Sequence, residues 1–112
     1  MKMVELVGFD DFDDDTVEEI KQKMKPLAKK YDRVFGIDTV QDFKVAVETF
    51  KRDGGKDNHE LVMSLSTTKG DFRAKKQGWE ILSLVDEVES KLERQIRERK
   101  EKGLNLWEGK NA

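Results

Sequence analysis

The sequence predicts an α+β domain with elements in the order β-α-β-β-β-α, two helices packing on one face of a four-stranded sheet. Three observations predict it. Apolar residues recur at helical spacing in two separate blocks, 17–31 and 81–96. Between the blocks, three runs alternate apolar and polar side chains with the period of a strand. Glycine-containing turns divide those runs. The 112 residues suffice for one domain with a single modest core, expected at 1–102, followed by a tail at 103–112 too short of pattern to place.

The first strand is expected over residues 2–7, where Lys-Met-Val-Glu-Leu-Val alternates. The run Asp10-Asp11-Phe12-Asp13-Asp14-Asp15 leads into a helix, with Asp15 or Thr16 as the expected cap and Glu19 completing a capping box with Thr16. Acids at this end also suit the positive pole of the helix. Val17, Ile20, Met24, Leu27, Ala28 and Tyr31 form its apolar stripe, and Gly36 marks its exit. Pro26 is expected to interrupt and kink it, since the ring removes a backbone donor and clashes with the preceding turn.

Phe43, Val45 and Val47 share one face of the second strand. Asp53-Gly54-Gly55 is a turn, and Leu61, Met63 and Leu65 alternate in the third strand. Thr68-Lys69-Gly70 turns again into a fourth strand that points Phe72 and Ala74 inward, completing an antiparallel meander. The last helix is expected from about Trp79 to Lys102, burying Ile81, Val85, Val88, Leu92 and Ile96 with Leu82 and Leu84 on the flanks, and Gly103 stops it.

Hydrophobic residues make up 36% and charged residues 41%, but 22 bases against 24 acids leave a net charge of only −2. The high net charge of a disordered chain is missing, so a folded domain with a heavily charged surface is expected. No cysteine is present, which excludes disulfides and thiolate metal sites. The apolar runs fall far short of the roughly 20 residues that cross a bilayer, and the start lacks the apolar core of a signal peptide. A cytoplasmic location and no membrane partner follow. The signs of charge are segregated. Residues 1–20 hold eight acids and one base, 21–33 hold six bases and one acid, and 91–102 hold six bases and three acids. A near-neutral chain with basic ends of this kind can still bind a polyanion.

The stretch Phe72-Arg73-Ala74, then Glu80-Ile81, Asp86 and Lys91-Leu92-Glu93-Arg94-Gln95-Ile96, resembles the last strand and helix of the ribosome hibernation-promoting factor and protein Y family. Members of that family typically read acid-Leu-Tyr-Ala-Ala-Ile-Asp, three residues, Asp-Lys-Leu-x-Arg-Gln-Leu, and then further bases. Lys25-Pro26-Leu27 through Tyr31 is similar to the end of the family's first helix. The resemblance spans residues 1–102, with its specific motif in the last 30. Leu82 replaces a usual aromatic, Leu84 an alanine and Ser90 an aspartate, and the acidic run at 10–15 is not a family feature, which marks a distant member. The resemblance implies a layout related to double-stranded RNA-binding domains. It also implies binding to the small ribosomal subunit where messenger and transfer RNA sit, blocking translation on idle ribosomes. Some relatives add a C-terminal domain that pairs two ribosomes; this chain is expected to lack it.

Binding of this kind needs bases clustered on an exposed surface, because release of counterions from phosphates drives it. Lys91 and Arg94 carry over from the family motif. The helical and strand faces add Arg97 and Lys100 on the last helix, Arg73, Lys75 and Lys44 on the sheet, and Lys29, Lys30 and Arg33 on the first helix. A plainer reading competes. Glu87 with Lys91, Glu93 with Arg97 and Glu98 with Lys102 are four apart, acid first, and such pairs stabilise a solvated helix by roughly 0.2–0.5 kcal/mol each while binding nothing.

Other chemistry has little support. His59, the one histidine, is expected at the surface, with no partner for a catalytic triad or metal site. Asp11, Asp13 and Asp15 have the alternation of a calcium loop, but Thr16 and Gln22 stand where it needs glycine and glutamate. Trp79 is expected in the core or at the helix start. No nucleophile with a base is recognisable, so a non-enzymatic role without cofactor or small-molecule substrate is expected. The alternative to an RNA-binding inhibitor is a protein-interaction module using the acidic first turn and the Leu104-Leu106-Trp107 tail.

Overall fold

The computed structural model describes residues 4–36 and 38–101. The side chains of Lys100 and Glu101, the start of the expected first strand, the Gly103 stop and the tail with Leu104, Leu106 and Trp107 lie outside the described residues. The elements are β1 (Glu5–Val7), α1 (Asp14–Phe35), β2 (Val40–Phe50), β3 (Asn58–Thr67), β4 (Gly70–Gly78) and α2 (Ile81–Glu101). The strands lie side by side in sequence order. β1 runs parallel to β2, with α1 as the crossover a parallel pair requires, while β2, β3 and β4 form the expected antiparallel meander.

The alternation of each strand decides which face the helices cover. Phe43, Leu65 and Phe72 form one row across the sheet, and Val45, Met63 and Ala74 the next. All six are buried. Onto these rows α1 lays Ile20, Met24, Leu27, Tyr31 and Phe35, and α2 lays Leu84, Val85, Val88, Leu92 and Ile96. Tyr31 meets Phe43 edge-on at 5.4 Å, and Phe35 lies 5.7 Å from Phe72. Burying each large apolar side chain contributes roughly 1.5–3 kcal/mol, so this single layer supplies most of the cohesion. The alternate residues of every strand lie on the other face, which neither helix covers.

Three local expectations are corrected, and a fourth is met in one of its two alternatives. Asp13, not Asp15 or Thr16, caps α1: its Oδ1 accepts the Thr16 N–H at 2.8 Å, so Thr16 is the third helical residue and forms no box with Glu19. This bond holds the Asp13 carboxyl below its ordinary value. Pro26 interrupts nothing; α1 runs unbroken through it, because buried Met24 and Leu27 on either side anchor the stripe to the sheet. His59 is buried, facing α1's side of the sheet, with Nδ1 3.0 Å from Thr49 Oγ1 and Phe12 5.1 Å from its ring. Of the two places expected for Trp79, the structure gives the helix start and not the core: it is 49% exposed and precedes Glu80, whose side chain accepts the Ser83 N–H at the start of α2.

Candidate nucleic-acid interface

β4 is an edge strand, so alternate backbone groups face away from β3 and need other partners. α2 supplies them at helical spacing, running antiparallel along the edge. Arg99 donates to the Asp71 carbonyl at 3.2 Å, the Arg73 N–H donates to Gln95 Oε1 at 3.3 Å, and Lys91 donates to the Lys75 carbonyl at 3.1 Å. The Arg99 guanidinium also lies 4.3 Å over the Phe72 ring. Arg99→Ala is therefore expected to cost about 1–2 kcal/mol, read as a lower urea midpoint. The signal for this seam in the sequence is the spacing of Lys91, Gln95 and Arg99 along one side of α2, which the apolar stripe does not single out.

This seam brings cations from two elements together. Arg73 and Lys75 point from β4, Lys91 and Arg94 from α2, and with Gln95 and Glu98 they line a shallow open groove of about 510 Å³. A second lobe of about 340 Å³ continues past Lys91 and Arg94 to Ser90 and Lys76. The acids beside this ridge are matched from elsewhere. Glu87 pairs with Lys76 at 3.1 Å, Asp86 with Lys23 at 3.2 Å and Glu93 with Lys30. None of the expected pairs of Glu87 with Lys91 or Glu93 with Arg97 forms, because the acids reach other elements first, and Lys102 lies outside the described residues. Arg94 and Arg97 remain exposed and without an acidic partner among the described residues.

The other expected positions are not all gathered here. Arg97 lies on the exposed crest of α2. Lys44 shares the helix-free face with Arg73, two strands away in one row through Ser64. Lys29 and Arg33 are exposed on α1, which packs over β2, so α2 stands between them and the groove. Lys30 is committed to Glu93 in the seam between the helices. The side chain of Lys100 lies outside the described residues.

That interhelical seam holds three acids, Asp86, Glu89 and Glu93, against Lys23 and Lys30. Burial, then Glu93 and Asp86, push the Glu89 carboxyl above its ordinary value, partly offset by the two lysines. Burial first, and then Glu93 and Glu89, likewise raise the neighbouring Tyr31 hydroxyl. A carboxyl raised by folding stabilises the fold below its unfolded value, and that contribution is lost as pH rises through the folded value. Glu89→Gln is therefore expected to raise the melting temperature at pH 7, with the gain vanishing below about pH 4.

Among the described residues no three or more His, Asp or Glu side chains stand together as a metal site, and no helix is long and apolar enough to cross a membrane. Asp13, the middle residue of the calcium-like spacing, is occupied as the α1 cap. No curated protein matches the chain. A family model described as the C-terminal domain of hibernation factor Hib matches residues 3–109, nearly its whole length.

Proposed function

This chain belongs to the family of the C-terminal domain of hibernation factor Hib, and on that footing we propose that it binds small-subunit ribosomal RNA through the β4–α2 groove. Membership gives it a ribosome-associated hibernation role. The finer reading is that the bound domain keeps messenger and transfer RNA out of idle small subunits in the cytoplasm, by occupancy, with no reaction and no cofactor.

One observation carries this reading: Arg73, Lys75, Lys91 and Arg94 converge on one open groove whose lining holds a single acid, Glu98, while lysines pair with Asp86, Glu87 and Glu93 alongside it. A net charge of −2 would otherwise argue against a polyanion, but phosphates respond to the local field. The groove is open along its length, which suits an extended backbone better than an enclosed small molecule. Arg97 beside it, and Lys44 along the row from Arg73, extend the same surface. Glu98 in the lining limits the field and sets a preferred path for the strand.

Co-sedimentation with purified small and large ribosomal subunits at low and moderate salt tests the proposal. Sedimentation with small subunits, weakening as salt rises, is the expected result. Sedimentation with large subunits alone, or binding indifferent to salt, would overturn it.

A further inference from the structure

The end of the sheet away from Arg94 and Arg99 brings acids of several segments together, although the loop between β2 and β3 there also carries Lys51, Arg52 and Lys56. β1 and β4 finish there, β3 begins there, and the acidic loop before α1 is fastened to it by Lys51, which lies 3.5 Å from Asp57 and 4.0 Å from Asp11. Two of the exposed large hydrophobic residues, Phe50 and Trp79, stand at this end at 39% and 49% exposure. The ladder puts them in one row. Phe50 pairs with Asn58, and Gly78 pairs with His59, so Trp79 comes level with Asn58 on the other side. Both aromatics follow the parity of the helix-free face.

Next along that face, Glu48 lies directly opposite Glu60, two like charges across adjacent strands that repel each other. Neither has an acid–base partner among the described residues. The Arg52 guanidinium lies 4.9 Å over the Trp79 ring. Asn58, between the two aromatics, has a buried Oδ1 with no hydrogen-bond donor. Two uncompensated carboxylates, exposed ring faces and an acceptor without a donor all call for positive charge bearing N–H groups. Arg52 on Trp79 shows that the ring takes a guanidinium.

We propose that this corner binds an arginine or lysine side chain of a basic protein segment, and that Arg52 holds the place on Trp79 until that partner displaces it. The inference does not depend on RNA binding in the β4–α2 groove, which is lined by Arg73, Ala74 and Lys75 at the middle of β4. Glu48 and Glu60 weigh against a nucleic acid as the occupant of this corner, since a phosphate backbone lying across their pair would meet both.

A fluorescein-labelled nonaarginine peptide, followed by anisotropy against the full chain, tests it. Removing the internal competitor with Arg52→Ala is expected to tighten binding about three-fold, and Trp79→Ala to weaken it about five-fold. Glu48→Gln with Glu60→Gln is expected to weaken it about ten-fold. Arg73→Ala with Arg94→Ala leaves the peptide affinity as it was or improves it. All the altered side chains are wholly or partly solvent-accessible, and unchanged circular dichroism confirms that each variant is folded. The proposal is overturned if Arg52→Ala weakens peptide binding or leaves it unchanged. It is equally overturned if the double glutamine variant binds the peptide like the parent, or if Trp79→Ala affects binding of an unpaired oligoribonucleotide and not of the peptide.

Discussion

The variant carrying Arg73→Ala, Lys75→Ala and Arg94→Ala is expected to lose about 100-fold in affinity for small subunits at low salt, with a salt slope shallower by about three. Each lost phosphate contact removes one released counterion, so affinity and salt dependence fall together. A loss of shape complementarity would lower affinity and leave the slope alone. The three side chains are exposed and none makes a side-chain hydrogen bond or ion pair among the described residues, so the urea midpoint should stay put. Lys91 is left in place because it also seals the Lys75 carbonyl, and its removal would mix a stability effect with a binding one. Lys29→Ala with Arg33→Ala is the matched control. It removes two exposed cations that the fold places away from the groove, and a several-fold effect at most is expected. Co-sedimentation across a salt series reads the affinities and slopes, and urea denaturation reads the midpoint.

Gly8→Ala is expected to cost roughly 3 kcal/mol or more, among the largest effects of any single substitution in the chain. Gly8 follows β1 with φ +84°, and a Cβ built there would lie 2.2 Å from the Val47 carbonyl oxygen. A side chain in left-handed backbone costs about 1–2 kcal/mol by itself. The close approach adds to this, because the obstructing atom is backbone of β2 and has no rotamer to yield. Relief would pull β1 from its parallel pairing and lift Phe9, which is buried one residue later. Gly54→Ala separates the two terms. Its φ is +72° but nothing lies within 4 Å of the added carbon, so only about 1 kcal/mol is expected. Denaturant midpoints for the two variants, compared with the parent, check the difference.

The parts of the fold legible in the sequence are those where the chain's period and the buried face coincide. Phe72-Arg73-Ala74-Lys75 alternates strictly, so its inward pair and its outward cations follow from the alternation alone, and both cations line the groove. The stripes of α1 and α2 are equally plain, since a helix buries one side whatever it packs against. Choices among equals are not legible. Five acids fill six positions at 10–15 around the start of α1, so composition does not single out the cap, and backbone geometry selects Asp13. Pro26 does not end α1, whose apolar stripe continues past it to Phe35. The burial of His59 depends on Phe12 arriving from a loop far away in sequence.

Pairing of charges is the least legible feature. Glu93 has a base four residues on in the same helix, yet bonds to Lys30 across 63 residues. Glu87 likewise passes over Lys91 for Lys76. These long-range matches support the proposed site, because they engage Glu87 and Glu93, which would otherwise stand free near Arg94. Lys91, carried over by motif as an expected RNA contact, finishes the hydrogen bonding of β4, a structural role that no spacing rule marks.

Photo-cross-linking tests the groove most directly. A photoreactive benzoylphenylalanine replaces Ser90, which lines the second lobe beside Lys91 and Arg94, so every cation is kept. The same group at Glu19, exposed near the start of α1, serves as reference. Irradiation on small subunits should yield a cross-link to small-subunit ribosomal RNA from position 90 and little from position 19. Cross-links from position 90 to protein alone, or equal RNA cross-linking from both positions, would contradict the account.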